Sequence, residues 1–437
     1  MSEMSVPLFK ARESARKWAG RGTLAIADQG LIAASNFLLA VLLGRQLRAD
    51  AYGAWALAFE IFLLLAVLHA AFVLEPMTVF GAADYKECTR EYLGTLLRVH
   101  SWTMIITGAA LAGAAGVIYF AGSHELAKAM FGMAISTPIV LVFWVVRRTF
   151  YIELNPGGSV FGAAVYSAVL LAGLGVCYRF HLLSPFVAFV LTGIAGLVTI
   201  PVLLARIKPV FNSTNGPSYK DTASQHWTYG RWALGSSVAS WATAASFYFL
   251  LTSFRGLSAT GTLKALLNIS SPIGTAFVAL SLLTLPYAAK IQAGEDSEAM
   301  LKFTGRITVL YMGGTAMYFL VITLLRGPLL HLMYGSKYGE LAGLIPWIAL
   351  GMILRIGATA QAVTLRALKT PSLVFAAYGI SLLAAVVVGV PATWAYGLQG
   401  TVVAYVVSCG SALVLAYAML RRKLRARRAA EAELQPA

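Results

Sequence analysis

Apolar stretches of helical length recur about every 30 residues from Leu24 to Leu420, with polar and basic segments between them. Each is close to the ~20 residues that an α-helix needs to cross a hydrocarbon core. The pattern predicts spans near 24–44, 54–78, 100–121, 129–150, 159–178 and 184–205, then 232–253, 262–287, 305–325, 342–365, 372–391 and 398–420. The expectation is an all-α polytopic membrane protein with about twelve transmembrane helices in two six-helix lobes.

Basic residues test that count, because cytoplasmic loops hold the excess of Lys and Arg. With the N-terminus inside, alternate gaps collect Lys10 to Arg21, Lys86 to Arg98, Arg147 and Arg148, Arg206 to Arg231, Lys290 to Arg306, Arg366 and Lys369, and Arg421 to Arg428. Only Arg45, Arg48, Lys128, Arg179, Arg255, Lys264, Arg326 and Lys337 fall to the other side, and Arg355 lies within a span. Both termini are therefore expected in the cytoplasm. The chain divides into a basic segment 1–23, an N-lobe 24–206, a linker 207–231, a C-lobe 232–420 and a basic tail 421–437. The linker contains FNSTNGPSY, a composition suited to a flexible connection.

Sliding the chain on itself by 208 residues aligns LLGRQLRADAYGAWAL from Leu42 with LLTSFRGLSATGTLKA from Leu250. Ala51 meets Ala259 and Gly53 meets Gly261 on the same span-loop-span unit. Two parallel six-helix repeats are an arrangement that transporters use to expose one site to either side in turn.

Composition sharpens this picture. A hydrophobic fraction of 59%, a charged fraction of 12% and a mean hydropathy of +0.74 place the chain in a bilayer. The net charge of +16 then reads as topology, and nucleic acid is not an expected partner. Cys88, Cys177 and Cys409 are too scattered for a metal site or disulfide. The first 22 residues carry no short apolar core with a cleavage site, so no signal peptide is expected. P-loop, HExxH and GxSxG motifs are missing and the outer loops are short, which disfavours ATP-driven transport and loop-based catalysis. Neither an enzyme nor a cofactor is expected.

Polar side chains within the spans carry the candidate chemistry, because a charge at mid-helix costs about 2.5–3.5 kcal/mol on insertion scales. Lys264, Asn268, Ser271 and Thr275 step by helical spacing and share one face of the eighth span. The repeat offset places Asn268 opposite Glu60 of the second span. These groups either line a cavity or satisfy one another in a dry contact. Arg355, near the centre of the tenth span, is suited to a phosphate anion, its alternative being a buried salt bridge to Glu60 or another carboxylate. Asp28, Gln29, Ser35 and Asn36 form a polar strip on the first span; Asp28 and Glu60 are candidate ion-coupling acids. His69 lies on the other side of its helix and reads as packing. Pro76 and Pro286 bend or end their helices. Ser236, Ser240 and Thr243 share a face that could meet sugar hydroxyls or serve as packing. Arg147, Arg148, Tyr151 and Glu153 read as topology anchors.

ADQGLIAASNFLLAVLLGRQLRADAYGAWAL, the mid-chain YGRWALGSSVASW, and MYGSKYGELAGLIPWIAL followed by LRALKTP together resemble the polysaccharide flippases (Wzx type) of the multidrug/oligosaccharidyl-lipid/polysaccharide (MOP) exporter superfamily, over almost the whole chain. The resemblance implies twelve helices in two lobes around a central cavity lined by the first, second, seventh and eighth spans. It also implies export of a lipid-linked oligosaccharide, typically on undecaprenyl pyrophosphate, across a bacterial inner membrane beside a polysaccharide polymerase and export machinery. The LEPM run at Leu74 to Met77 departs from the flippase pattern. A drug or cation antiporter of the same superfamily is the rival, kept by Glu60 and Asp28; a membrane-embedded polymerase or ligase would need a larger outer loop.

Overall fold

The computed structural model describes residues 5–82, 84–153, 155–211, 217–293, 297–368 and 370–433. Side chains are described from residue 23 to 428, apart from 82, 232, 233, 236, 278, 279, 282, 283, 286, 289, 290, 293, 371 and the residues outside those ranges. Among the described residues all regular structure is helical: α1 (Ser5–Gln46), α2 (Ala49–His69), α3 (Glu75–Ala82), α4 (Thr89–Phe120), α5 (His124–Ile152), α6 (Pro156–Arg179), α7 (Pro185–Ile207), α8 (Tyr219–Asn268), α9 (Ser271–Ala293), α10 (Ser297–Leu324), α11 (Arg326–Tyr334), α12 (Ile345–Ala367) and α13 (Pro371–Glu433). Nine helical stretches among the described residues are long and apolar enough to cross a membrane. The last of them turns a corner at Gly397 (φ 57°), and α8 turns one at Gly256 (φ 80°), left-handed positions that glycine takes without a Cβ penalty. Separating the rods at those corners, and joining α2 with α3 and the second part of α8 with α9, gives twelve long helical rods among the described residues, plus the short α11. The protein is an all-α polytopic membrane protein, as the hydropathy pattern predicts.

Two prolines explain the irregular turns. Pro76 has no N–H to offer the carbonyl four residues back, and the chain passes from α2 to α3 through a π-helical turn, Ala70–Leu74. The carbonyl so released, Phe72 O, accepts a hydrogen bond from His226 Nδ1 at 2.9 Å. Pro272 likewise cannot donate to Asn268, and α8 and α9 are separated at Ile269–Ser270 in mid-span. The Tyr318 hydroxyl donates to Ile269 O at 2.7 Å, satisfying a carbonyl at that break. The backbone continues helically past Pro76 and Pro286, so neither ends its helix.

The chain forms two compact units. One comprises Met1–Leu39 with Leu68–Trp232, the other Ala40–Val67 with Ala233–Ala437. In the first, Phe143 of α5 stacks on Tyr166 of α6 with ring centroids 4.9 Å apart. In the second, Met300, Ala362, Leu365, Val374, Ala416 and Leu420 bring α10, α12 and α13 into one apolar cluster. Within this second unit α2 and α8 cross at Gly53 and Gly261, the pair that the 208-residue repeat aligns. A Cβ on Gly53 would lie 1.7 Å from Leu257 O, and one on Gly261 2.4 Å from Ala49 O. Only glycine permits so close a backbone approach.

Candidate functional site

The Gly53/Gly261 crossing sets the level at which the second unit assembles its charges. Within nine residues of Gly53, α2 carries Trp55, Phe59 and Phe62, which stack in series from Tyr52 with centroids 5.6, 5.3 and 5.8 Å apart. One turn beyond Gly261, Lys264 places its ammonium 4.7 Å from the Phe59 ring centre, 5.6 Å from Trp55 and 5.7 Å from Tyr248. Such faces attract a cation through their quadrupoles. Glu60 is next to Phe59 on α2, and its Oε1 lies 3.9 Å from Lys264 Nζ. Glu60 is 4% exposed, and its backbone carbonyl accepts from Trp241 Nε1 at 2.9 Å. The lysine ammonium therefore occupies a cage with three aromatic walls and a carboxylate.

The remainder of the predicted eighth-span stripe falls on the helix break. Asn268 Nδ2 donates to Tyr334 Oη at 3.4 Å, Tyr334 Oη donates to Ala265 O at 3.1 Å, and Ser271 Oγ donates to Asn268 Oδ1 at 3.2 Å. Asn268 is buried and Ser271 is exposed. Thr275 Oγ1 bonds back to Ser271 O at 3.1 Å. These bonds join Asn268, Ser271 and Thr275, whereas Lys264, at the start of the stripe, is turned to Glu60.

Arg355 is at the middle of α12. Among the described residues no carboxylate lies within 4 Å of it, although Glu60 is near enough to interact through space. Lys264, rather than Arg355, forms the ion pair with Glu60. More than a third of the Arg355 surface is accessible, and the side chain borders a small cavity shared with Ser240, Thr243, Tyr378, Ser381 and Tyr405. Thr243 Oγ1 is engaged with Ala239 O (2.8 Å) and Tyr378 O (3.3 Å), which gives the threonine of the seventh-span face a packing role. Ser236 lies outside the described side chains.

The first unit contains a second acid–base pair. Asp28 is fully buried, accepts from Tyr151 Oη at 2.6 Å and from Gln29 Nε2 at 3.2 Å, and has Arg147 Nη1 3.4 Å from Oδ1. Arg147 is 12% exposed and lies over the Phe143 ring, so it is the partner of Asp28 more than a topology anchor. Further along the polar strip, Ser167 Oγ lies 3.3 Å from Ser35 Oγ and donates to Leu31 O; Asn36 is half-buried. His69, at the start of the π turn, is buried against His100 with ring centroids 4.8 Å apart.

Sequence reasoning missed the aromatic cage and the Asp28 partners for different reasons. Tyr52, Trp55, Phe59 and Phe62 step by three, four and three residues, so their shared face was readable. Arg147, Tyr151 and Tyr405 meet their partners only across helices, and Tyr248 meets Lys264 only across the corner at Gly256, which no spacing reveals.

No protein-family model and no curated protein sequence matches the chain. Its structure, however, is similar to solved transporters of the MOP superfamily. An inward-facing multidrug resistance MATE family transporter superposes with a TM-score of 0.74 at 13% identity, over 92% of this chain and 95% of the other. An outward-facing MATE conformation gives 0.68 at 11% identity, over 93% and 95%. A MOP superfamily transporter from Pyrococcus furiosus, described by a reversed polarity of its binding pocket that suggests a different function, also gives 0.68 at 11% over 93% and 95%. The fold is thus that of the MATE transporters.

Proposed function

We propose that the chain is a flippase that moves a lipid-linked oligosaccharide, an undecaprenyl-pyrophosphate glycan, from the inner to the outer leaflet of a bacterial inner membrane, with both termini cytoplasmic. The observation that carries this reading is the sign of the accessible charge. Asp28 and Glu60 are each paired with a cation, at 3.4 and 3.9 Å, whereas Arg355 has no carboxylate within reach among the described residues and is open to a cavity. A guanidinium stays charged and offers a planar fork of donors to a phosphate. The polyprenyl tail remains in lipid while the anionic head meets Arg355, and an exchange between inward- and outward-facing states carries the head across.

The second reading, a cation- or proton-coupled multidrug antiporter, is favoured by the two buried acids and by the description of the neighbouring MATE structures. A leaflet assay separates the two. In a strain lacking the gene, undecaprenyl-pyrophosphate oligosaccharide is expected to accumulate on the cytoplasmic face, and Arg355→Ala is expected to reproduce that accumulation. A deletion strain with normal lipid distribution and impaired efflux of a cationic dye overturns the flippase reading.

A further inference from the structure

The Arg355 cavity has a chemistry of its own. It is lined from α8 by Ser240 and Thr243, from α12 by Arg355, and from α13 by Tyr378, Ser381 and Tyr405. Tyr405 is 6% exposed. Its hydroxyl lies beside the Arg355 guanidinium and the Cys409 thiol, yet makes no hydrogen bond of ordinary geometry. Thr243 and Ser381 have turned their hydroxyls to backbone carbonyls, Ser381 Oγ donating to Ser408 O at 2.8 Å. Among the other lining groups, which include Ser240, Tyr378 and Cys409, Arg355 brings a fixed positive charge and Tyr405 a phenol O–H without a hydrogen-bond partner. Both are donors, and no carboxylate of the described residues balances them within 4 Å.

Charge and size together select the occupant. A cation is repelled by the guanidinium. A neutral water satisfies the hydroxyl but places no negative charge against the guanidinium, whose interaction with Glu60 is only through space, and an ion left without a contact partner is costly in a low-dielectric setting. The cavity holds about 30 Å³ of space for the centres of water-sized spheres, against the ~10–15 Å³ that one water requires. That admits a monatomic anion and leaves a diphosphate outside, in contact only with the mouth.

We propose that this cavity is a binding site for one small monovalent inorganic anion, a halide such as chloride, held by the Arg355 guanidinium and the Tyr405 hydroxyl. The anion is the resting counter-charge of Arg355. This stands on the geometry of the cavity and does not require the flippase reading: a phosphate-bearing head would meet the same arginine from outside the halide.

The test uses full-length protein purified in detergent and exchanged into sodium gluconate, then titrated with sodium chloride, bromide or phosphate at constant sodium and ionic strength. Thermal midpoint and chloride-35 NMR line width are the readouts. Chloride and bromide are expected to raise the midpoint saturably, and chloride to show a broadened line that excess bromide sharpens. Arg355→Gln is expected to weaken the apparent affinity at least roughly ten-fold, as loss of a charged hydrogen-bond partner does. Tyr405→Phe, which removes one oxygen and keeps the ring, gives a smaller weakening in a protein that still folds. An unchanged chloride response in Tyr405→Phe and Arg355→Gln, or no halide response in the wild type, overturns the proposal. A saturable response to phosphate alone also overturns it and assigns the arginine to phosphate groups. The flippase reading is judged separately by lipid distribution.

Discussion

At the scale of single residues, the second unit holds an ion pair neither member of which can be removed alone without cost. Glu60 and Lys264 are both largely buried, and taking away one leaves the other without compensation, at a cost of about 3–5 kcal/mol. Glu60→Gln and Lys264→Met are each expected to lower the thermal midpoint, and the double variant to recover most of the loss. Strict additivity in that double-mutant cycle would contradict the pairing. In the first unit, His226 donates from Nδ1 to Phe72 O, which can only accept, so Nε2 receives the Tyr92 hydroxyl at 2.7 Å. His226 precedes the seventh span, and burial holds its imidazole below the usual histidine range, outweighing the opposite pull of the Phe72 carbonyl. The unfolded chain therefore takes up the proton first. The His226 contribution is whole above a pH of ~6.5 and is lost as pH falls through the lowered folded value. Melting midpoints of the wild type are expected to fall more steeply on acidification than those of His226→Gln; parallel curves would contradict this.

At the scale of elements, close glycine contact and proline-induced breaks decide where polar groups end up. Gly53→Ala and Gly261→Ala each force apart backbones that already touch, and overpacking of this kind costs about 1–3 kcal/mol. The displacement also carries Trp55 and Lys264 apart, so both variants are expected to lose stability and to weaken the coupling between Glu60 and Lys264. Neutral substitutions would show that the crossing is looser than described. Much of this level was legible in the sequence: the spans follow from apolar runs of about 20 residues, and the repeat that aligns Gly53 with Gly261 marks two residues in direct contact. Other parts were not. The π turn at Ala70–Leu74 follows from Pro76, but the donor that answers Phe72 O comes from His226, more than a hundred residues on. The stripe from Lys264 to Thr275 was visible as one face, yet Pro272 divides it, so Asn268 and Ser271 meet across a break and not along a continuous helix. Arg147 looked like a boundary charge because sequence shows its neighbours on α5 and conceals Asp28 on α1.

At the scale of the whole molecule, a fold shared with MATE transporters carries a charge arrangement in which the buried acids are paired with cations while an arginine is left accessible. The fold by itself does not choose a substrate, since sites are grafted on folds. The flippase proposal rests instead on the accessible sign, which suits a phosphate-bearing head better than a cation. The most direct measurement reconstitutes the purified protein in liposomes containing a fluorescent polyprenyl-pyrophosphate oligosaccharide and follows quenching of the label by an impermeant reductant. The account predicts that the wild type makes the inner-leaflet pool reachable and that Arg355→Ala does not. Liposomes in which wild type and empty vesicles quench alike, while a cationic dye is expelled under a proton gradient in a manner lost in Glu60→Gln or Asp28→Asn, would contradict it.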